Sequence, residues 1–257
     1  MTHVPRLIVS ALSGGAGKTI LTLGLARHWL RSGLSVKPFK KGPDYIDAVW
    51  LGRAAGQTAT NLDPFFMQDS VLARLFVEQA DGCDVALVEG NRGLFDGKDT
   101  NGSCSTSHLA RLLQCPVLLI LDCSKMTRTV APIVQGCNQF EKGLILGGVI
   151  LNRTAGNRHR SILRKCLEEY TDVPVLGALP KLDDTLIPER HMGLVSDREY
   201  AAEEAIADSA RILADWVDVE EVLRVGSRAP ELEAPDVALW PEVQSTGRRV
   251  RIGVVKD

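Results

Sequence analysis

Seven residues near the amino terminus, Ser13-Gly14-Gly15-Ala16-Gly17-Lys18-Thr19, have the types and order of a loop that holds phosphate. Glycines let backbone N–H groups turn inward around phosphate oxygens, and a helix opening at the loop adds the positive end of its dipole. In that arrangement Lys18 reaches the β- and γ-phosphates, and the Thr19 hydroxyl ligates Mg²⁺. The usual pattern, G-x-x-x-x-G-K-[ST], asks for glycine where this chain has Leu12. A Mg²⁺-nucleotide site also needs carboxylates beyond the loop. Asp44 and Asp47 in GPDYID, Glu89 in VEG and Asp96 in GLFDG are the candidates. Lys37, Lys40 and Lys41 stand beside them, a cluster suited to neutralising phosphate or carboxylate. Asn152-Arg153 ends an apolar run, where a side-chain amide could read a purine base.

These residues need a scaffold that brings strand ends together. Short apolar runs predict strands at Leu7–Ser10, Ser35–Phe39, Asp84–Val88, Val117–Leu121, Leu144–Leu151 and Val173–Leu176. Amphipathic stretches predict helices at Thr19–Arg31, Ser70–Gln79, Ser105–Leu113, Thr127–Phe140 and Arg158–Tyr170, with a further helical region from Asp197 to about Trp216. Alternating strands and helices specify an α/β fold, a doubly wound and mainly parallel sheet of the P-loop NTPase kind. In such sheets ligands bind beyond the carboxyl ends of the strands, where the loop and the four acids fall.

The bulk properties exclude several classes. Thirty basic and 32 acidic residues among 257 give a net charge of −2, with no basic footprint for nucleic acid or an anionic membrane. No apolar run is long enough to span a bilayer, and Met1 to Arg6 lacks the pattern of a signal peptide, so the expected location is the cytoplasm. The six cysteines form no CxxC pair, and no two of the five histidines have metal-ligand spacing. From Gly226 to Gly247 the chain holds Pro230, Pro235 and Pro241 without sustained periodicity and reads as a linker; RIGVVKD at Arg251–Asp257 reads as the start of a fresh strand.

The motifs come in the order found in one family. SGGAGKT (13–19), KPFKKGPDYID (37–47), NLDPFF (61–66), VEGNRGLFDG (88–97), CPVLLILD (115–122), GGVILNR (147–153) and PERHMGL (188–194) together resemble the corrin-ring glutamine amidotransferases of the cobyrinic acid a,c-diamide synthase family. The likeness to dethiobiotin synthetase is weaker and concerns the ATP-binding domain. The resemblance implies an ATP- and Mg²⁺-dependent domain that phosphorylates the a- and c-acetate carboxylates of a corrinoid, after which ammonia displaces phosphate to leave an amide. It implies ATP contacts at Ser13 to Thr19, Lys37, Lys40, Asn152 and Arg153, metal ligation by Thr19, Asp44 and Glu89, and catalytic roles for Lys18, Asp44, Asp47, Glu89 and Asp96.

The family's ammonia comes from glutamine through a glutaminase domain with a cysteine nucleophile. The expected organisation is therefore an amide-synthase domain over residues 1–225, a linker over 226–248, and the first strand of that second domain over 249–257. No cysteine here sits in a strand-turn-helix elbow, so this chain is expected to use ammonia and not glutamine. The family follows GPDYID with a proline and soon a histidine, whereas this chain has Ala48-Val49-Trp50. Nickel sirohydrochlorin and hydrogenobyrinic acid stay open as alternative substrates, and a homodimer as an open assembly. A regulatory ATPase of the deviant P-loop type is disfavoured by Ser13, where that type has lysine.

Overall fold

The computed structural model describes residues 4–182 and 200–240, together with 251 and 253. The PERHMGL segment, the start of the helix expected from Asp197, and the RIGVVKD strand apart from Arg251 and Gly253 lie outside the described residues.

Seven strands form one all-parallel sheet in the order β3-β2-β4-β1-β5-β6-β7. They are β1 (Arg6–Ala11), β2 (Val36–Lys41), β3 (Thr60–Leu62), β4 (Val85–Glu89), β5 (Val117–Asp122), β6 (Leu146–Thr154) and β7 (Val175–Pro180). The helices are α1 (Lys18–Arg31), α2 (Tyr45–Ala55), α3 (Asp69–Ala80), α4 (Thr106–Leu112), α5 (Val130–Phe140), α6 (Asn157–Tyr170), α7 (Tyr200–Trp216) and α8 (Val219–Ser227). β1, bearing the phosphate loop, lies between β4 and β5 at the centre.

Side chains alternate across each strand, so the sheet feeds two cores. Leu7, Val9, Val36, Val85 and Leu87 pack with α1, α2, α7 and α8 on one face. Ile8, Phe39, Ala86 and Val88 pack with α3, α4, α5 and α6 on the other. This is the doubly wound parallel sheet expected from the alternation of elements.

Three elements escape the sequence patterns. β3 has only three residues and lies at the sheet edge, too short for a hydrophobic run to show. α2 begins inside GPDYID; the Asp44 carboxylate caps it by accepting from the Asp47 N–H at 3.0 Å, and Gly56 ends it at φ 70°. α8 runs to Ser227, so the domain boundary drawn after residue 225 falls inside a helix.

The packed chain continues further still. Ala229 and Leu232 are buried, and the Arg6 guanidinium donates to the Pro230 carbonyl at 2.6 Å. Arg6, the first residue of β1, is itself fully buried and also donates to the carbonyls of Leu113 and Val4, at 2.8 and 3.0 Å. Burial disfavours its charge and lowers its pKa from the usual arginine value. Removing a donor that serves several buried carbonyls leaves each without compensation. Arg6→Ala is therefore expected to cost about 3 kcal/mol in denaturant unfolding. A loss below about 1 kcal/mol would show that water replaces the guanidinium there.

Candidate nucleotide and carboxylate site

The phosphate loop leaves β1 and closes on α1. Gly15 and Gly17 have φ of 69° and 98°, values that only glycine adopts without strain. Gly17 is doubly constrained, since a Cβ there would lie 2.7 Å from the Asn152 amide nitrogen. Ser13, Gly14 and Gly15 are exposed, whereas Ala16 is buried and anchors the loop.

Two strand ends brace the loop from behind. Asn152, at the end of β6, donates from Nδ2 to the Ala16 carbonyl at 2.9 Å and accepts the Arg153 N–H on Oδ1. Arg153 donates to the Gly15 carbonyl at 3.2 Å and pairs with Asp122 at 2.6 Å. Asp122 is held below the usual carboxylate range: burial raises it, but hydrogen bonds from Ser124 and Arg153 outweigh burial. The structure thus places Asn152 and Arg153 on the loop backbone, with the amide nitrogen of Asn152 already engaged.

The acids follow from strand parity. Glu89 falls in step with Val85 and Leu87, so it points to the α1–α2 face at the carboxyl end of β4. Lys40 is its register partner on β2 and points to the same face. Their side chains meet at 2.7 Å, both almost fully buried, and Lys40 also binds Asp47 of α2 at 2.5 Å. The Thr19 hydroxyl of α1 donates to the same Glu89 oxygen at 2.9 Å. A continuous line, Thr19–Glu89–Lys40–Asp47, therefore links α1, β4, β2 and α2 at the mouth of the phosphate loop.

Charge in this corner is tightly balanced. Burial opposes the Lys40 charge, but Glu89 and Asp47 outweigh it and raise its pKa above the usual lysine value. Asp47 is pushed up by burial and by the like charge of Glu89, against the pull of Lys40. Lys18 is lowered chiefly by burial, with Glu89 opposing the shift. Its ammonium lies back across the loop, donating to the carbonyls of Ser13 and Arg92 at 2.9 and 2.8 Å.

Asp96 and Asp44 occupy different positions. Asp96 accepts from the Gly93 N–H at 3.0 Å and lies close enough to Lys18 to act on its charge. Gly93 can be nothing larger, because a Cβ would come within 2.5 Å of both Asp96 and the Leu12 carbonyl. Asp44 is exposed at the cap of α2, outside the Thr19–Glu89 contact, so the structure joins only two members of the expected metal set. Among the described residues no three His, Cys, Asp or Glu side chains stand together as a ready metal site.

Lys37 requires a correction. It lies three residues before Lys40 on β2, so parity turns it to the α3 face, where it donates to the Thr58 carbonyl at 3.0 Å. Its charge is disfavoured by burial, and it takes no part in the loop corner. Pattern reading also passed over Asn61, whose amide donates to the carbonyls of Gly42 and Asp44 at 2.8 and 3.0 Å and so holds the GPDYID turn. Its place in the NLDPFF motif is the signal that could have found it.

A divalent cation suits this corner by donor chemistry. Thr19 and Glu89 are hard oxygen donors in contact, and the second Glu89 oxygen is buried with no hydrogen-bond partner among the described residues.

With this geometry in place, comparison with known proteins identifies the group. Residues 7–195 match the model of the CobQ/CobB/MinD/ParA nucleotide binding domain. The chain belongs to this family. A cobyrinate a,c-diamide synthase of Magnetococcus marinus is 40% identical over 99% of this chain and 56% of its own length. A hydrogenobyrinate a,c-diamide synthase of Streptomyces coelicolor is 40% identical over 86% of this chain and 46% of its own. The chain thus spans about half the length of the curated relatives it matches. Among solved structures, the MinD cell division protein of Aquifex aeolicus superposes with a TM-score of 0.50 at 16% identity, over 82% of this chain and 97% of that one. That likeness concerns the fold alone. Membership of the family makes this a nucleotide-binding domain.

Proposed function

We propose that the chain carries the ATP- and Mg²⁺-dependent step of corrin-ring amidation, converting the a- and c-acetate carboxylates of cobyrinic acid into amides. The observation that carries it is the buried acid line at the mouth of the phosphate loop, on a chain whose curated relatives are a,c-diamide synthases.

The chemistry is coherent. A carboxylate is a poor acyl donor, because its leaving group would be oxide. Transfer of the γ-phosphoryl group to a carboxylate oxygen gives an acyl phosphate and ADP. Ammonia then attacks the acyl carbon, the C–O bond to phosphate breaks, and the amide and inorganic phosphate leave.

Lys18 and the loop N–H groups bind the phosphates, and Lys18 can do so by leaving two carbonyls that hold it only at the surface. Thr19 and Glu89 would hold Mg²⁺, which supplies neutralisation of charge between two anionic reactants. Asp47 and Asp96, whose charges act on Lys18, and Asp44, the cap of α2 beside Asp47, would position ammonia and accept the proton it loses.

Nitrogen enters as free ammonia in this reading. Burial pushes the thiols of Cys115 and Cys123 up to about 12, and it raises Cys83 and Cys137 as well. These four of the six thiols are thereby poor nucleophiles near neutrality. A cytoplasmic site, where ATP is at hand, is part of this proposal; no helix among the described residues is long and apolar enough to cross a membrane.

The Streptomyces relative makes hydrogenobyrinic acid the second reading. ADP release is to be measured with each tetrapyrrole acid plus ammonium or glutamine. Ammonium is expected to support turnover that rises with pH, as unprotonated ammonia increases, and glutamine to support none. ADP release independent of any tetrapyrrole acid would overturn the assignment.

A further inference from the structure

We propose that Lys40 is a resident cation at the metal corner, so that this protein takes up its divalent ion together with the nucleotide and not before it. The proposal rests on the nucleotide-metal reading above and adds an order to it.

Glu89 is the buried acid facing the phosphate loop, and its Oε1 is already committed twice. The Lys40 ammonium lies 2.7 Å from it and the Thr19 hydroxyl 2.9 Å. The Thr19 proton therefore points at Glu89. A divalent ion approaching these two oxygens meets a fixed positive charge at contact distance. Lys40 has little freedom to retreat, since its backbone is paired beside Glu89 in the sheet and only 3% of the residue is exposed. Asp47, at 2.5 Å, is its single alternative partner among the described residues.

The surrounding charges reinforce the block. Lys18 is under the influence of Glu89, Lys40, Asp47 and Asp96, so basic and acidic side chains interleave in the corner. Such a mixed set is a weak attraction for a free divalent ion. Phosphates change the balance: they bring several negative charges and draw Lys18 off the Ser13 and Arg92 carbonyls. The ion can then use phosphate oxygens with the unpartnered Glu89 Oε2, while Lys40 shifts its weight to Asp47. Lys40 is thus a positioning residue that gates metal entry without touching the reacting atoms.

Mn²⁺ titration followed by electron paramagnetic resonance tests this on the whole chain, with and without a non-hydrolysable ATP analogue. Without nucleotide, wild type is expected to bind Mn²⁺ weakly, Lys40→Met at least about tenfold more tightly, and Lys40→Arg like wild type, because it keeps the charge. A plain structural salt bridge predicts no such gain. Equal nucleotide-free affinity in wild type and Lys40→Met, or a gain in Lys40→Arg matching that in Lys40→Met, would overturn the proposal. If the wild type binds no Mn²⁺ even with the analogue, the nucleotide-metal reading fails instead. Should Lys40→Met not fold, the wild type alone decides through the slowly exchanging Nζ protons of a buried lysine in ¹H–¹⁵N spectra. Mg²⁺ with nucleotide is expected to shift that signal and free Mg²⁺ to leave it; a shift with free Mg²⁺ would refute the gate.

Discussion

Lys18→Ala is expected to lower ATP-dependent amidation about 10²–10³-fold while leaving the melting temperature essentially unchanged. The size follows from the part the lysine plays: it meets charge that develops between the β- and γ-phosphates, and a preorganised donor at developing charge is worth several powers of ten. The indifference of stability follows from its present contacts. The ammonium holds only the Ser13 and Arg92 carbonyls, both at the surface, and water can take its place. ADP release with ammonium and cobyrinic acid measures the first quantity, and thermal unfolding the second. A variant keeping more than about a tenth of the turnover would remove Lys18 from the phosphate site.

Glu89→Ala is expected to cost both activity and fold. Removing one partner of a buried ion pair leaves the other charge under-compensated, at about 3 kcal/mol or more. For a chain of this size that corresponds to a fall of about 10 °C in melting temperature. Glu89 is 1% exposed, so solvent screening offers little relief. Asp47 remains to hold Lys40, which keeps the loss near the lower bound. The double variant Glu89→Ala, Lys40→Met removes both charges and should recover most of the stability but none of the turnover. If the double variant unfolds as easily as Glu89→Ala alone, the loss arises from packing and not from the orphaned ammonium.

Much of the site was legible because its signals are local. SGGAGKT specifies its own backbone: glycine where φ is positive, lysine and threonine at the first turn of α1. Buried parallel strands announce themselves as apolar runs, and β1, β2, β4 and β5 lie where those runs predict. β7 is offset toward Pro180, and α5 opens at Val130 where periodicity placed the start at Thr127, the usual fraying of boundaries. α2 was hidden by its own motif, since a segment rich in acids and glycine resembles a loop until Asp44 caps it.

By itself the sequence determined that a glycine-rich loop with lysine and threonine stands at the end of the first strand, that the scaffold is a parallel sheet with helices on both faces, and that acids gather at strand ends. Each rests on neighbours in the chain: turn chemistry, hydrophobic period and strand-helix alternation. Only the tertiary structure decided which of those groups meet. Placing β2 beside β4, and not beside β1, pairs Lys40 with Glu89 across the sheet. The alternation of side chains then sends Lys37 to the opposite face, keeps Lys40 at the corner, and leaves Asp44 capping a helix while Asp47 takes the ion pair. Strand order is a long-range property, set by how two hydrophobic cores close around the sheet, and no local pattern of residues contains it.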